Sequence, residues 1–181
     1  MNTAPPLAAI HRLVWISLIA ALTAVGAIIV IPIGPVPISM QTFFVTLAGL
    51  VLGPRAAIYA MLLYIAVGCL GLPVFAGGKA GLAVVFGPTG GFLLGFVPGA
   101  AISGLLVACR KESFLWATLC CGAGTAVILL AGSLHIALTL HISFAKACIV
   151  GILPFVPGGI VKCLAAAGTY RFLAARRLLP P

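Results

Sequence analysis

Lys162 has the clearest chemical consequence of any residue in this sequence. It follows Pro157-Gly158-Gly159 and precedes Cys163-Leu164-Ala165-Ala166-Ala167, about one turn into an apolar helical segment. An ammonium at membrane depth costs at least about 2.5–3.5 kcal/mol unless it meets a cavity or a partner. Snorkelling to the interface is the plainer alternative. The single acid of the chain, Glu112, stands beside Arg110 and Lys111, so no apolar segment holds a carboxylate to neutralise Lys162. An anionic ligand is the expected countercharge.

Other residues could contribute to the same chemistry. Gln41 and Thr42 open a short apolar run, where a glutamine can bond an amide, a carboxyl group or a neighbouring helix. The stretch Phe75-Ala76-Gly77-Gly78-Lys79-Ala80-Gly81 and then Gly87-Pro88-Thr89-Gly90-Gly91-Phe92 is rich in glycine, which permits close backbone approach. Thr89 fits an N-cap, and the amides of Gly90-Gly91 could meet a ligand at a helix start. The same stretch also reads as a flexible surface loop. It contains no G-x-x-x-x-G-K-[ST], so no nucleotide is implied. His135 lies in a long apolar run, where a hydrogen-bonded buried histidine is the first reading and a ligand contact the second. Ala20 and Ala24, with Ala27, form a small-residue face suited to close helix packing. The six cysteines contain no C-x-x-C and read as small hydrophobes, with no disulfide and no metal.

These residues must be positioned by membrane helices. Of 181 residues, 64% are hydrophobic and 6% charged, and the mean hydropathy is +1.35. A soluble domain of this length carries roughly 45 charged residues; this chain has ten Lys or Arg and one acid. A soluble enzyme is excluded, as is chemistry that needs paired carboxylates. The net charge of +9 does not point to nucleic acid, because the basic residues are scattered between apolar runs. The N-terminus lacks a secretory pattern, and its apolar run reads as a retained first span.

Six spans are expected, at approximately 13–31, 38–52, 56–70, 90–108, 114–140 and 158–175, within one domain over 1–181. Ile31-Pro32-Ile33-Gly34-Pro35-Val36-Pro37 cannot continue a helix. Val74 to Thr89 is expected as a loop, and the stretch from Ile142 to the sixth span as a loop or short helix. With the N-terminus inside, one side collects Arg12, Arg55, Arg110, Lys111, Arg171, Arg176 and Arg177, and the other only Lys79 and Lys146. That bias places both termini in the cytoplasm.

Five stretches then carry a resemblance. They are Pro37-Ile38-Ser39-Met40-Gln41-Thr42, Ala48 to Arg55, Gly71 to Gly77, Gly87 to Phe96, and Leu153-Pro154-Phe155-Val156-Pro157-Gly158. They occur in the right order from about Arg12 to Arg171, and they resemble the BioY family, the biotin-capturing subunits of energy-coupling factor transporters. The resemblance implies an all-α membrane protein of a bacterial cell (inner) membrane, with six transmembrane helices and an outward-facing ligand pocket. It implies no cofactor, and as partners a membrane coupling protein and two ABC ATPases. Ala20 and Ala24 match the docking pair of such subunits. The implied ligand contacts are Gln41, Phe75, Lys79, Thr89, Gly90, Gly91, Phe92, His135, Gly159 and Lys162. One position departs from the pattern: the family reads Pro-Gly-Asp with Lys three residues later, and here the acid's place is Gly159. The ligand expected is therefore biotin, or a related small acid such as lipoate, dethiobiotin or pimelate. A non-enzymatic binding subunit is favoured over a small acyltransferase using His135 or His141, since neither histidine has a carboxylate or nucleophile beside it in sequence.

Overall fold

Backbone polar groups in lipid must be satisfied within the segment, which leaves helices for apolar runs of this kind. A computed structural model of the chain describes residues 6–32, 36–109 and 113–180. The expectations for Arg110, Lys111, Glu112 and for Ile33-Gly34-Pro35 fall outside the described residues. The first helix, α1 (Pro6–Ile28), runs into a two-stranded antiparallel ribbon, β1 (Val30–Ile31) with β2 (Ile38–Ser39), in the register Val30↔Ser39. After it come α2 (Gln41–Cys69), a single helical turn and a half in α3 (Leu82–Phe86), α4 (Gly90–Cys109), α5 (Phe114–Thr139) and α6 (Phe144–Gly151). A 3₁₀ turn at Leu153–Phe155 then leads into α7 (Val156–Ala175).

Among the described residues, five stretches are long and apolar enough to cross a membrane: Ala9–Ile28, Gln41–Cys69, Gly90–Cys109, Phe114–Thr139 and Phe144–Ala175. Six were expected, and the difference lies in α2. Its helical bonding runs through Gly53, whose backbone is not helical (φ 73°, ψ 174°). Only a residue without Cβ takes that φ readily, and Pro54 follows with no N–H to leave unpaired. Twenty-three residues of straight helix would span about 35 Å, yet Gln41 and Tyr64 are hydrogen-bonded side chain to side chain. The two arms of α2, 41–52 and 54–69, therefore fold back on each other as an antiparallel hairpin.

Smaller corrections have equally local causes. The helix expected to reach residue 31 stops at Ile28, because Val30 and Ile31 pair with the next strand ahead of Pro32. The loop over 74–89 holds α3. The last helix begins at Val156 rather than 158, since proline fits the first turn, where its missing N–H costs nothing.

The core is made by α2, α4 and α5 approaching closely. A Cβ on Gly49 would overlap the Ala100 carbonyl, and one on Gly124 would overlap the Ser103 hydroxyl. Ser103 Oγ, wholly buried, lies 3.1 Å from Gly99 O and 3.2 Å from Cys120 O, joining α4 to α5. Small residues and interhelical hydrogen bonds are what hold helices together where lipid removes the hydrophobic drive.

Candidate functional site

One end of the bundle gathers the ribbon, the start of α2, the segment after α2, the start of α4 and the start of α7. A cavity of about 50 Å³ lies among them, room for roughly three to five waters. Its walls are mostly aromatic and aliphatic: Phe75, Phe92, Phe96, Leu129 and Phe155, with Phe92 and Phe155 stacked at 5.7 Å. Its polar groups are few and placed by different elements: Ser39, Gln41, Thr42, Thr89 and Lys162.

Lys162 comes in from the second turn of α7. Its Nζ donates to the Ser39 carbonyl at 2.6 Å and to Thr42 Oγ1 at 3.4 Å. Both partners are neutral, and among the described residues no carboxylate stands near it. Gln41 is 3% exposed. Its amide oxygen accepts from Ser39 Oγ at 2.8 Å, and its Nε2 donates to Tyr64 Oη. Tyr64 in turn donates to the Val74 carbonyl at 2.8 Å. The ring of Phe75 is 1% exposed and sits where Gly68 has no side chain. Thr89 faces the cavity, and its backbone carbonyl accepts from the Phe92 amide (3.2 Å) as α4 begins.

Of the residues singled out in the sequence, Gln41, Phe75, Thr89, Phe92 and Lys162 line this one cavity. The remaining five lie elsewhere. Lys79 is exposed; its carbonyl accepts from the Phe75 amide at 3.0 Å. Gly90 spends its N–H on Gly87 O at 2.9 Å, so that amide is not free for a ligand. Gly91 makes room for the Cβ of His135 across the α4–α5 seam. His135 Nε2 hydrogen-bonds Gly87 O at 3.0 Å and lines a separate α4–α5 groove. Gly159 lines an apolar groove between α5 and α7, where a Cβ would meet only Thr125 Cγ2 at 3.8 Å. Of the small-residue pair, Ala20 is 7% exposed and Ala24 half-buried. They share a groove with Ser17 and Ala21 against Leu63 and Val67 of the second arm of α2 and Val74 of the segment after it.

Sequence reading missed Tyr64, Phe96, Leu129 and Phe155. Tyr64 carried one usable signal, since a buried tyrosine in an apolar helix needs a partner for its hydroxyl.

This fold and site define a helical membrane protein with an aromatic-walled cavity at one end, headed by one lysine. The BioY family profile matches residues 1–179. The chain is 42% identical over 157 residues to the "Biotin transporter BioY" of Thermotoga maritima, covering 87% of this chain and 92% of that one. It is 44% identical over 151 residues to the "Probable biotin transporter BioY" of Pyrococcus horikoshii, covering 83% and 88%. A crystal structure described as the S-component for biotin from an ECF-type ABC transporter shares the fold, with a TM-score of 0.89 over 96% of this chain and 95% of that chain at 23% identity. The chain belongs to the BioY family and is a multi-pass membrane protein.

Proposed function

We propose that this chain is the substrate-binding subunit of a biotin uptake transporter, capturing the vitamin by its carboxylate at Lys162. One observation carries the reading: an ammonium within the helix bundle, facing a cavity and held by a carbonyl and a hydroxyl rather than a carboxylate. The BioY relatives described as biotin transporters support biotin as that acid. A related small acid such as lipoate, dethiobiotin or pimelate is the second reading, favoured by Gly159 in place of the family's aspartate.

In this proposal 1–181 is one domain of six crossings, the two arms of α2 counting separately. Both termini are cytoplasmic in a bacterial cell (inner) membrane, and the cavity opens outward. The arginines at the far end (Arg12, Arg55, Arg171, Arg176, Arg177) support that orientation, with Lys79 and Lys146 at the cavity end. Energy for uptake comes from partners, a membrane coupling protein and two ABC ATPases, docked along the small-residue face of α1.

Isothermal titration of biotin and its methyl ester against the native chain and Lys162→Met tests the reading. Losing one member of a desolvated charge pair costs about 2–5 kcal/mol, or about 30-fold to several thousandfold in Kd. The ester should bind weakly and be nearly indifferent to the substitution. Equal binding of the acid by both proteins would leave Lys162 as a structural tie.

A further inference from the structure

We propose that Lys79 and Lys146 steer the anionic ligand toward Lys162 without touching it, setting the association rate rather than the affinity contacts. The inference rests on the reading above that the ligand is an anion arriving from the outer face. Both side chains are exposed and at the cavity end. Lys79 is fastened to the rim by the hydrogen bond from the Phe75 amide to its carbonyl, and Phe75 is a wall of the cavity. Lys146 stands on α6 beside the buried Ala147, and the chain runs from there to Phe155, another wall of the cavity.

No acid balances them. The sequence has a single acidic side chain, Glu112, and none lies among the described residues. Among the described residues, the charged side chains that an anion meets at the cavity end are therefore all basic, over low-dielectric walls that concentrate the field. Charges so arranged raise association rates by about 10–10³-fold, steeply dependent on salt. The reach is set by screening, about 30 Å at 0.01 M ionic strength and about 8 Å at 0.15 M. Lys79 and Lys146 would act at the first of these and fade at the second, whereas Lys162, inside the cavity, is screened far less.

The test is stopped-flow binding of biotin and of its methyl ester to the full chain in nanodiscs of phosphatidylcholine, which carries no net charge. The Lys79→Gln/Lys146→Gln variant is compared with the native protein at low and near-physiological salt. Association of biotin at low salt should slow by about 3–10-fold, with the dissociation rate and the ester unchanged. The Lys79→Arg/Lys146→Arg variant should restore the native rate, which a role in packing or specific lipid contact would not require. A native rate in the Gln variant at low salt, or equal slowing for acid and ester, overturns the proposal. If the native chain binds no biotin, the ligand reading fails and the same comparison with lipoate still tests steering. Binding of neither acid overturns both.

Discussion

Gln41 Nε2 donates to Tyr64 Oη across the α2 hairpin, so a cavity-lining side chain also ties the two arms together at the end away from the Gly53 turn. The same hydroxyl donates to Val74 O at 2.8 Å, and the Tyr64 ring meets Phe75 edge-on with centroids 5.7 Å apart. Tyr64→Phe keeps the ring and removes the bridge. It leaves the Gln41 amide and the Val74 carbonyl unpaired in a buried site, at a cost of about 1–3 kcal/mol. The thermal midpoint in detergent should fall, and biotin should bind about fivefold more weakly or worse. Native values for both would show that the hydroxyl carries no structural load.

Gly68 makes the place of Phe75 possible. Any Cβ there would overlap the Phe75 ring, which has no exposed side to move toward. Gly68→Ala should destabilise by about 1–3 kcal/mol, as overpacking does, and should weaken biotin binding by displacing a cavity wall. A differential scan together with a titration reads both. A stability loss without any affinity change would mean that Phe75 does not bound the ligand.

At position 159 an aspartate can be introduced with little strain, since a Cβ there meets only Thr125 Cγ2 at 3.8 Å. Gly159→Asp should fold normally and place a carboxylate one turn before Lys162, where i, i+3 partners interact. Competition between biotin and lipoate should then shift toward biotin, whose ureido ring offers N–H donors. An unchanged ratio would place position 159 outside ligand recognition.

The small-residue groove separates two effects. Ala20 is 7% exposed and sits in the core, whereas Ala21 is exposed on the same helix. Ala20→Leu should lower stability by about 1–3 kcal/mol. Ala21→Leu should leave stability and biotin binding intact while blocking co-purification with a coupling protein and its ATPases. Full assembly of the Ala21 variant would remove this groove as the docking face.

Much of this arrangement was legible because its signals are costly ones. Lysine and glutamine at the edges of apolar runs need partners in lipid, so Lys162 and Gln41 stood out, and the Gly53-Pro54-Arg55 break marked the hairpin turn. Positions 159 and 162 were harder to separate. Three residues apart, they differ by about 60° around the helix, enough for Lys162 to enter the cavity while Gly159 faces α5. His135 shares the cavity end but belongs to the α4–α5 seam, a distinction that depends on which helices meet at Gly91. Phe155 and Leu129 look like any other apolar residue until packing sets them around a lysine.

The hold of Lys162 on Ser39 has a consequence for selectivity. Two of its three N–H donors already meet Ser39 O at 2.6 Å and Thr42 Oγ1 at 3.4 Å, which fixes where the ammonium stands and leaves one donor for an incoming molecule. A neutral amide or alcohol offers that donor an oxygen of the same strength as the two it already meets. A carboxylate offers a full charge and a bond about twice as strong. A backbone carbonyl thus aims one charged donor at the cavity, and an acid should gain more from it than its neutral relatives do.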